Sequence, residues 1–446
     1  MIRRVLVVGS GGREHALCWR LARDARTIPG GGLDLLLVAP GNAGMTDVAR
    51  TVAVAATDSD GLVELVRNEA IELVIIGPEA PLVAGLADRL RVAGVAVVGP
   101  GPGAARLEGS KSFCREIAAA AGVPIADGAT FEDLGQALDF ARARHGRVVV
   151  KADGLAAGKG VAVCDDMATA EAAIRGCLVD GVFGDAGRRI VIEEVLVGRE
   201  VSVIALCDET AILALPAARD HKRLGDDDTG PNTGGMGAIS PVDEPSDAEV
   251  AHILEAVHRP ILDELARRGV PFRGVLFAGM MLTQDGPMLL ECNVRFGDPE
   301  TQATLPRLAT PLLPLLAGVA RGLLAGAAAD AGITGSLLPV DLDTSVAVVV
   351  ATAGYPDGPR TGDPITGIEA ARAAGALVFC AGLAASDSGL VTSGGRVLAV
   401  VGQGTDPDAA IACAYAALGR VDIAGMQVRH DIGRTAVPAG FGGARP

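Results

Sequence analysis

The sequence predicts a soluble multidomain protein of the α/β and α+β classes. It reads as an N-terminal parallel α/β domain, a larger mixed middle and a small C-terminal α+β domain. Three observations carry this. The 446 residues hold about three domains at roughly 150 residues each. The first hundred alternate short β-branched runs with helical segments through short loops, the pattern of a parallel sheet covered by helices. The middle third loses that alternation and sets strand-like runs between polar, Gly-rich stretches.

In the first part, residues 2–8, 33–39, 73–76 and 95–98 read as strands, and 14–23, 61–68 and 82–93 as helices. Each strand runs into a Gly- or Pro-rich loop: G-S-G-G-R-E (9–14), A-P-G-N-A-G (39–44), G-P-E-A-P-L (77–82) and G-P-G-P-G (99–103). Ligands of open α/β sheets bind at the carboxyl ends of the strands, so these four loops are expected to line one site. A boundary falls near 99–105. Ser110 reads as the cap of a helix to about 121. Strand-like runs follow at 148–152, 161–164, 190–195 and 201–206, then a polar stretch (219–237), a helix (248–268) and strands at 274–282 and 288–296. The last part, from about 336, mixes strands at 345–351 and 396–401 with one helix at 407–418.

Composition excludes several classes. Apolar residues make up 49% and charged residues 21%, which rules out global disorder. The charge balance, 39 − 54 = −15, argues against a nucleic-acid or anionic-membrane binder. No segment reaches the roughly 18 apolar residues of a membrane span. The eight cysteines lie at least 13 positions apart, without a C-x-x-C motif, as in a cytoplasmic protein with reduced thiols.

Four segments carry candidate chemistry. M-L-L-E-C-N-V-R-F-G-D-P-E-T-Q (288–302) alternates, with Leu290, Cys292, Val294 and Phe296 on one face and Glu291, Asn293 and Arg295 on the other. The carboxylate and carboxamide suit Mg²⁺, and the guanidinium suits a phosphoryl oxygen. The alternative is a solvent-facing strand. V-V-V-K-A-D-G-L-A-A-G-K-G-V-A-V (148–163) is strand, loop, strand, with Gly154, Gly158 and Gly160 able to cradle phosphate and Lys151 and Lys159 adding charge. A flexible hairpin is the alternative; the spacing does not make a Walker A loop. I-V-I-E-E-V-L-V-G-R-E-V-S-V (190–203) offers backbone groups for an adenine and a carboxylate for a ribose, against the alternative of a solvated acidic strand edge. R-D-H-K-R-L-G-D-D-D-T-G-P-N-T-G-G-M-G (219–237) has the charge density of a loop that contacts a charged substrate. At the first loop Glu14 stands where a dinucleotide fingerprint needs glycine. The helix N-terminus there still suits one phosphate, and His15 reads as structural. No nucleophile–base arrangement stands out.

These strings, together with L-E-G-S-K, T-S-G-G-R-V-L and D-I-G near the C-terminus, resemble end to end the phosphoribosylamine–glycine ligase (glycinamide ribonucleotide synthetase) family of the ATP-grasp superfamily. D-T-G-P-N-T-G-G-M-G and R-F-G-D-P-E-T-Q are the most specific. The resemblance implies an N-terminal pre-ATP-grasp substrate domain (1–103), an ATP-grasp domain (104–334) with a lid at about 125–200, and a C-terminal domain (335–446). It implies ATP-phosphate contacts at Lys111, Lys151, Gly154, Gly158, Lys159 and Gly160, nucleoside contacts at Glu193, Glu194, Val195 and Glu200, and Mg²⁺ (or Mn²⁺) ligands at Glu291 and Asn293. The phosphoribosylamine site falls at Gly9, Gly11, Gly12, Arg13, Glu14, Asn42, Gly77, Pro78 and Glu79. Asp220, Lys222, Asn232, Arg295, Asp298 and Glu300 complete the substrate residues, with the first five as candidates for glycine. Lys159 and Arg295 are the expected catalytic pair. The chain ends D-I-G-R-T-A where the family has D-I-G-x-R-A, which puts Arg434 one place early.

The implied reaction joins glycine to 5-phosphoribosylamine at the expense of ATP, through glycyl phosphate, in a cytoplasmic monomer. An NAD-linked oxidoreductase, a silent nucleotide-binding protein and an ATP-grasp ligase for another acid and amine are the rivals.

Overall fold

The computed structural model describes residues 2–27, 32–156, 158–341 and 343–434. Its first sheet is parallel: β1 (Arg4–Gly9), β2 (Leu35–Pro40), β3 (Arg50–Thr51), β4 (Leu73–Ile76) and β5 (Ala96–Val98), in the order β3-β2-β1-β4-β5. Apolar residues run continuously through β1 and β4 because both faces are covered. Leu6, Val8, Val74 and Ile76 enter one core, and Val5, Val7, Leu73 and Ile75 another. The helices are α1 (Gly12–Ala25), α2 (Ser59–Asn68), α3 (Glu79–Val83), α4 (Leu86–Val92), α5 (Pro102–Gly109) and α6 (Lys111–Ala120). The single helix expected over 82–93 is two, divided at Gly85, whose φ of +86° lies outside the helical region. Ser110 caps α6 as expected, its hydroxyl accepting from the Phe113 N–H.

Next comes an antiparallel sheet with its own core: β6 (Gly128–Phe131), β7 (Val148–Ala152), β8 (Val161–Cys164) and β9 (Ile190–Glu194), ordered β6-β9-β7-β8, with α7 (Leu134–Arg142) and α8 (Met167–Leu178). β9 is therefore central, not an acidic edge strand. A second antiparallel sheet, ordered β11-β10-β16-β17, follows. It contains β10 (Arg199–Cys207), β11 (Ile212–Ala214), β16 (Gly274–Thr283) and β17 (Gly286–Asn293). Val201, Val203 and Leu276 of this sheet share a core with β1.

The polar stretch expected as a loop is built instead of short strands: β12 (Arg219–Asp220), β13 (Arg223–Gly225), β14 (Thr229–Asn232) and the start of β15 (Gly237–Ser240). Backbone pairing, which needs no apolar alternation, orders it. The helix expected over 248–268 is α9 (Asp247–Ile253) and α10 (Arg259–Arg267) joined by a π turn at Leu254–His258. Pro260, lacking an N–H, cannot continue the α-helical ladder there. Three more helices follow β17: α11 (Glu300–Thr304), α12 (Leu312–Arg321) and α13 (Leu324–Asp330).

The C-terminal part contains β18 (Thr344–Ala351), α14 (Ile368–Ala373), β19 (Leu377–Cys380), β20 (Leu383–Ser386), β21 (Gly389–Thr392), β22 (Arg396–Gly404) and α15 (Pro407–Leu418). Its described residues form two helices where one was expected, because α14 is short and lacks a strong apolar stripe. Its sheet, β12-β15-β18-β22-β19, takes in β12 and β15, while β13 and β14 pair apart, so middle and C-terminal segments are interwoven. Among the described residues no helix is long and apolar enough to cross a membrane.

Candidate active site

β17 carries the acidic face. A bulge opposite Gly279 and Met280 inserts Leu290 as an extra residue. Leu289 therefore takes the core position expected for Leu290, and the Leu290 carbonyl accepts from Lys151 Nζ at 3.0 Å. Beyond the bulge the expected alternation holds. Cys292, Val294 and Phe296 are buried, while Glu291, Asn293 and Arg295 are half-buried on the other side, although the strand ends at Asn293.

Lys222 Nζ stands 3.6 Å from Glu291 and 2.9 Å from Glu200. Burial works to raise Glu291, but Lys222, Lys111, Lys151 and Arg295 outweigh it and hold the carboxyl at about 2. Burial works against a charged Lys222, yet Glu200, Asp220 and Glu291 hold it well above its ordinary value. Asp220 is pushed up to about 8 by burial, opposed by Lys222 and reinforced by Glu300, Glu200 and Glu291. Among the described residues no group of three His, Cys, Asp or Glu side chains is placed to hold a metal. The oxygen donors of Glu291 and Asn293 on one face fit an ion that keeps water and phosphate oxygens as its remaining ligands, as Mg²⁺ does.

Behind this strand lies a cavity lined by Glu108, Lys111, Arg115, Lys151, Glu193 and Glu291. Glu193 is buried, with Lys151 at 2.6 Å and Arg115 at 2.9 Å. Its carboxylate holds Lys151 and Arg115 together at the cavity wall. Glu194 is exposed and accepts from the Asp127 N–H at 2.8 Å; Val195 beside it is half-buried. The Lys111 N–H donates to the Asp153 carbonyl, which ties α6 to the hairpin carrying Gly154, Gly158 and Gly160. Lys159 departs from the expected phosphate cluster: its ammonium donates to the Pro356 carbonyl of the C-terminal domain at 2.6 Å.

Three of the four first-domain loops meet: 77–82 abuts Glu14 of the first loop, and 39–44 bonds to its Gly9 and Ser10. The Gly11 N–H donates to its carboxylate at 2.7 Å, and Arg13 Nε lies 2.5 Å away. A Cβ at Gly77 would stand 2.0 Å from Glu14 Oε1. Glu14 thus takes the Gly11 N–H, while a cavity lies open beside Ser10, Gly11 and Gly12 at the helix N-terminus expected to take a phosphate. Gly9 and Gly12 flank it, and Asn42 Nδ2 donates to the Ser10 carbonyl at 2.8 Å. Pro78 and Glu79 open α3, and Glu79 reaches Arg295 at 3.5 Å. The fourth loop goes elsewhere: the Gly99 N–H donates to the Arg273 carbonyl, and Gly103 packs on Val270.

Arg295 also meets Glu108 at 2.8 Å, so the half-buried Glu79 and the buried Glu108 of α5 hold the expected catalytic guanidinium. Asn232 Nδ2 reaches the Val161 carbonyl at 3.5 Å, and Glu300 accepts from Ser202 at 2.9 Å. His15 is structural as expected, its Nδ1 accepting from the Cys380 N–H. The Arg434 N–H closes a turn onto the Asp431 carbonyl.

Sequence reasoning missed Arg115, Gln302, Tyr355 and Arg396. Gln302 and Arg396 hold Asp298 at 2.8 and 3.0 Å, and Tyr355 Oη accepts from the Gly234 N–H at 3.0 Å. The T-S-G-G-R-V-L string signalled Arg396, but nothing nearby in sequence showed what it would touch.

A parallel N-terminal sheet, a separately cored lid with a glycine hairpin, and an acid–amide strand beneath it make this an ATP-grasp protein. Residues 3–108, 109–301 and 345–435 match the N domain, the ATP-grasp (A) domain and the C domain of phosphoribosylglycinamide synthetase. The chain belongs to the phosphoribosylglycinamide synthetase family.

It is similar to the phosphoribosylamine–glycine ligase of Xanthomonas axonopodis pv. citri, at 44% identity over 97% of this chain and 98% of that one. Its likeness to the ligase of Agrobacterium fabrum is 44%, over 97% and 99%. The crystal structure of phosphoribosylamine–glycine ligase from Thermotoga maritima superposes with a TM-score of 0.79, at 31% identity over 96% of this chain and 99% of that one. The biotin carboxylase domain of Hydrogenobacter thermophilus 2-oxoglutarate carboxylase, in complex with MgADP, shares the fold at a TM-score of 0.70 and 15% identity, over 96% and 92%.

Proposed function

We propose that this chain ligates glycine to 5-phosphoribosylamine, converting ATP to ADP and phosphate and forming glycinamide ribonucleotide, a step of purine biosynthesis. The observation that carries this reading is the gathering of Lys111 and Lys151 in the cavity that Glu291 lines, with Lys222 3.6 Å from that carboxylate and Asn293 on the same face. It sits within a chain related end to end to such ligases.

A carboxylate does not acylate an amine at neutral pH because its oxygen leaves poorly. In the proposed course a glycine carboxylate oxygen attacks the γ-phosphorus and ADP departs. The amine nitrogen then attacks the glycyl carbonyl carbon, phosphate leaves with the shared oxygen, and the amide remains. Mg²⁺ on Glu291 and Asn293, for which Mn²⁺ could substitute, supplies positive charge to the phosphates. Lys111 and Lys151 bind phosphate oxygens, and Glu193 keeps Lys151 aimed at them. Lys222, held between Glu200 and Glu291, faces the glycine carboxylate. Arg295, fixed by Glu108 and Glu79, stands between the ATP half and the first-domain loops, which take the phosphoribosylamine.

Residues 128–194 have a core of their own, as a lid that closes as one body and excludes water from the acyl phosphate requires. The dispersed free thiols fit a cytoplasmic enzyme, and we assign it as a monomer that binds neither nucleic acid nor membrane. ADP release with Mg·ATP tests the reading. It should need glycine and fresh phosphoribosylamine together; release with another acid or amine would overturn the substrate assignment, and an acid- and amine-independent background would overturn the ligase.

A further inference from the structure

A single side chain from the C-terminal domain holds both of the most specific strings of the chain. Arg396 opens β22, and its guanidinium crosses to the middle domain. Nη1 donates to the carbonyls of Gly234 and of Asp298, the latter at 2.9 Å, and approaches the Gly235 carbonyl at 3.4 Å. Nη2 pairs with the Asp298 carboxylate at 3.0 Å. One planar fork thus spans T-G-G-M-G and R-F-G-D-P, two loops more than sixty residues apart in sequence.

The loops are shaped for this contact. A Cβ on Gly234 would lie 3.2 Å from Arg396 Cζ. Gly235, at φ +109°, would place one 2.5 Å from the Pro299 ring. Tyr355, from the same C-terminal domain, accepts from the Gly234 N–H at 3.0 Å, so the loop is gripped at adjacent residues.

The position of this grip matters. Arg396, Asp298 and Gln302 line one cavity with Ser10, Gly11 and Gly12 at the start of α1. The nucleotide cavity, with Lys111, Lys151 and Glu193, is lined by other residues. The Arg396 side chain keeps 23% of its surface exposed, so it forms part of the cavity wall and is not sealed in a domain seam. It already has four acceptors, which makes it a holder of loops and not a free anion ligand.

We propose that Arg396 is a positioning residue for the amine half of the reaction. It fixes Asp298 and Gly234–Gly235 against the first-domain loop that receives the phosphoribosylamine, and leaves nucleotide binding to the other cavity. This rests on the function proposed above. Losing charge-assisted hydrogen bonds of this kind lowers an affinity or rate by about 10- to 100-fold.

The test uses the full chain with Arg396→Ala and Arg396→Lys. It reads the KM of each substrate, kcat, Mg·ATP affinity by equilibrium binding, and the urea midpoint. The expected result is a rise in the KM for phosphoribosylamine of about 10- to 100-fold in Arg396→Ala, with Mg·ATP affinity unchanged. Arg396→Lys should fall between, because an ammonium can keep the Asp298 pair but cannot span both loops. Equal weakening of Mg·ATP binding and amine use, or no change in either, would overturn the proposal. Should Arg396→Ala fail to fold, Arg396→Lys decides by the same split. A wild-type chain inactive with glycine and phosphoribosylamine would instead overturn the function on which the proposal rests.

Discussion

The ammonium of Lys222 stands 3.6 Å from the carboxylate of Glu291 and is shared with Glu200 at 2.9 Å. β12, β13 and β17 thus bring one cation to the strand that carries the proposed metal ligands. Replacing Glu291 with Gln keeps the shape and removes the charge. The expected loss in kcat/KM is on the order of 10²- to 10³-fold, with a lowered urea midpoint in a chain that still folds, because the charge removed is one that Lys222, Lys111, Lys151 and Arg295 favour. ADP-release kinetics beside a denaturation curve check this.

Glu193 is buried between Lys151 and Arg115. Glu193→Gln leaves Lys151 with neutral acceptors, the Leu290 carbonyl among them, and no longer fixed by charge. The KM for ATP should rise by about 10-fold or more, while the KM for glycine stays put. An unchanged KM for ATP would show that Glu193 does not position the lysine.

Gly77 has no room for a side chain. Its Cβ would stand 2.0 Å from Glu14, which the Gly11 N–H and Arg13 hold in place. Gly77→Ala should cost about 1–3 kcal/mol, read from urea unfolding. A neutral result would mean that Glu14 can retreat.

His15, His221 and His258 are each lowered to about 4, above all by burial. Unfolded histidines take protons near 6.5. Between those values the unfolded chain binds more protons at these three sites, so their contribution to stability is full above about 6.5 and is lost as the pH drops towards 4, outnumbering the opposite contribution of Asp220. The urea midpoint measured across that window should decline steadily. His258, whose ring is fully buried, offers the cleanest single-site check: His258→Leu should flatten the decline.

Legibility in the sequence followed the source of order. Apolar runs such as Leu73–Ile76 and Val161–Cys164 are strands as read, because local patterning alone specifies them. The alternating face of Glu291, Asn293 and Arg295 was readable for the same reason. The bulge at Leu290 was not, since it depends on the partner strand. Residues 219–237 looked like a loop because backbone pairing without apolar alternation orders them, braced by side chains from about two hundred positions away. Arg429 holds Asp228 at 2.7 Å, and Asp431 accepts from the Asp227 N–H at 3.0 Å. Lys159 and Arg396 are tied across domains in the same way, and no local signal encodes such partners.

Carboxylate activation by phosphoryl transfer is the central claim. Its most direct test is turnover with glycine labelled by ¹⁸O in both carboxylate oxygens, followed by mass analysis of the released phosphate. The account predicts one ¹⁸O in each phosphate, carried over when the acyl phosphate is cleaved by the amine. Phosphate that forms with the amide product yet carries no ¹⁸O would contradict it.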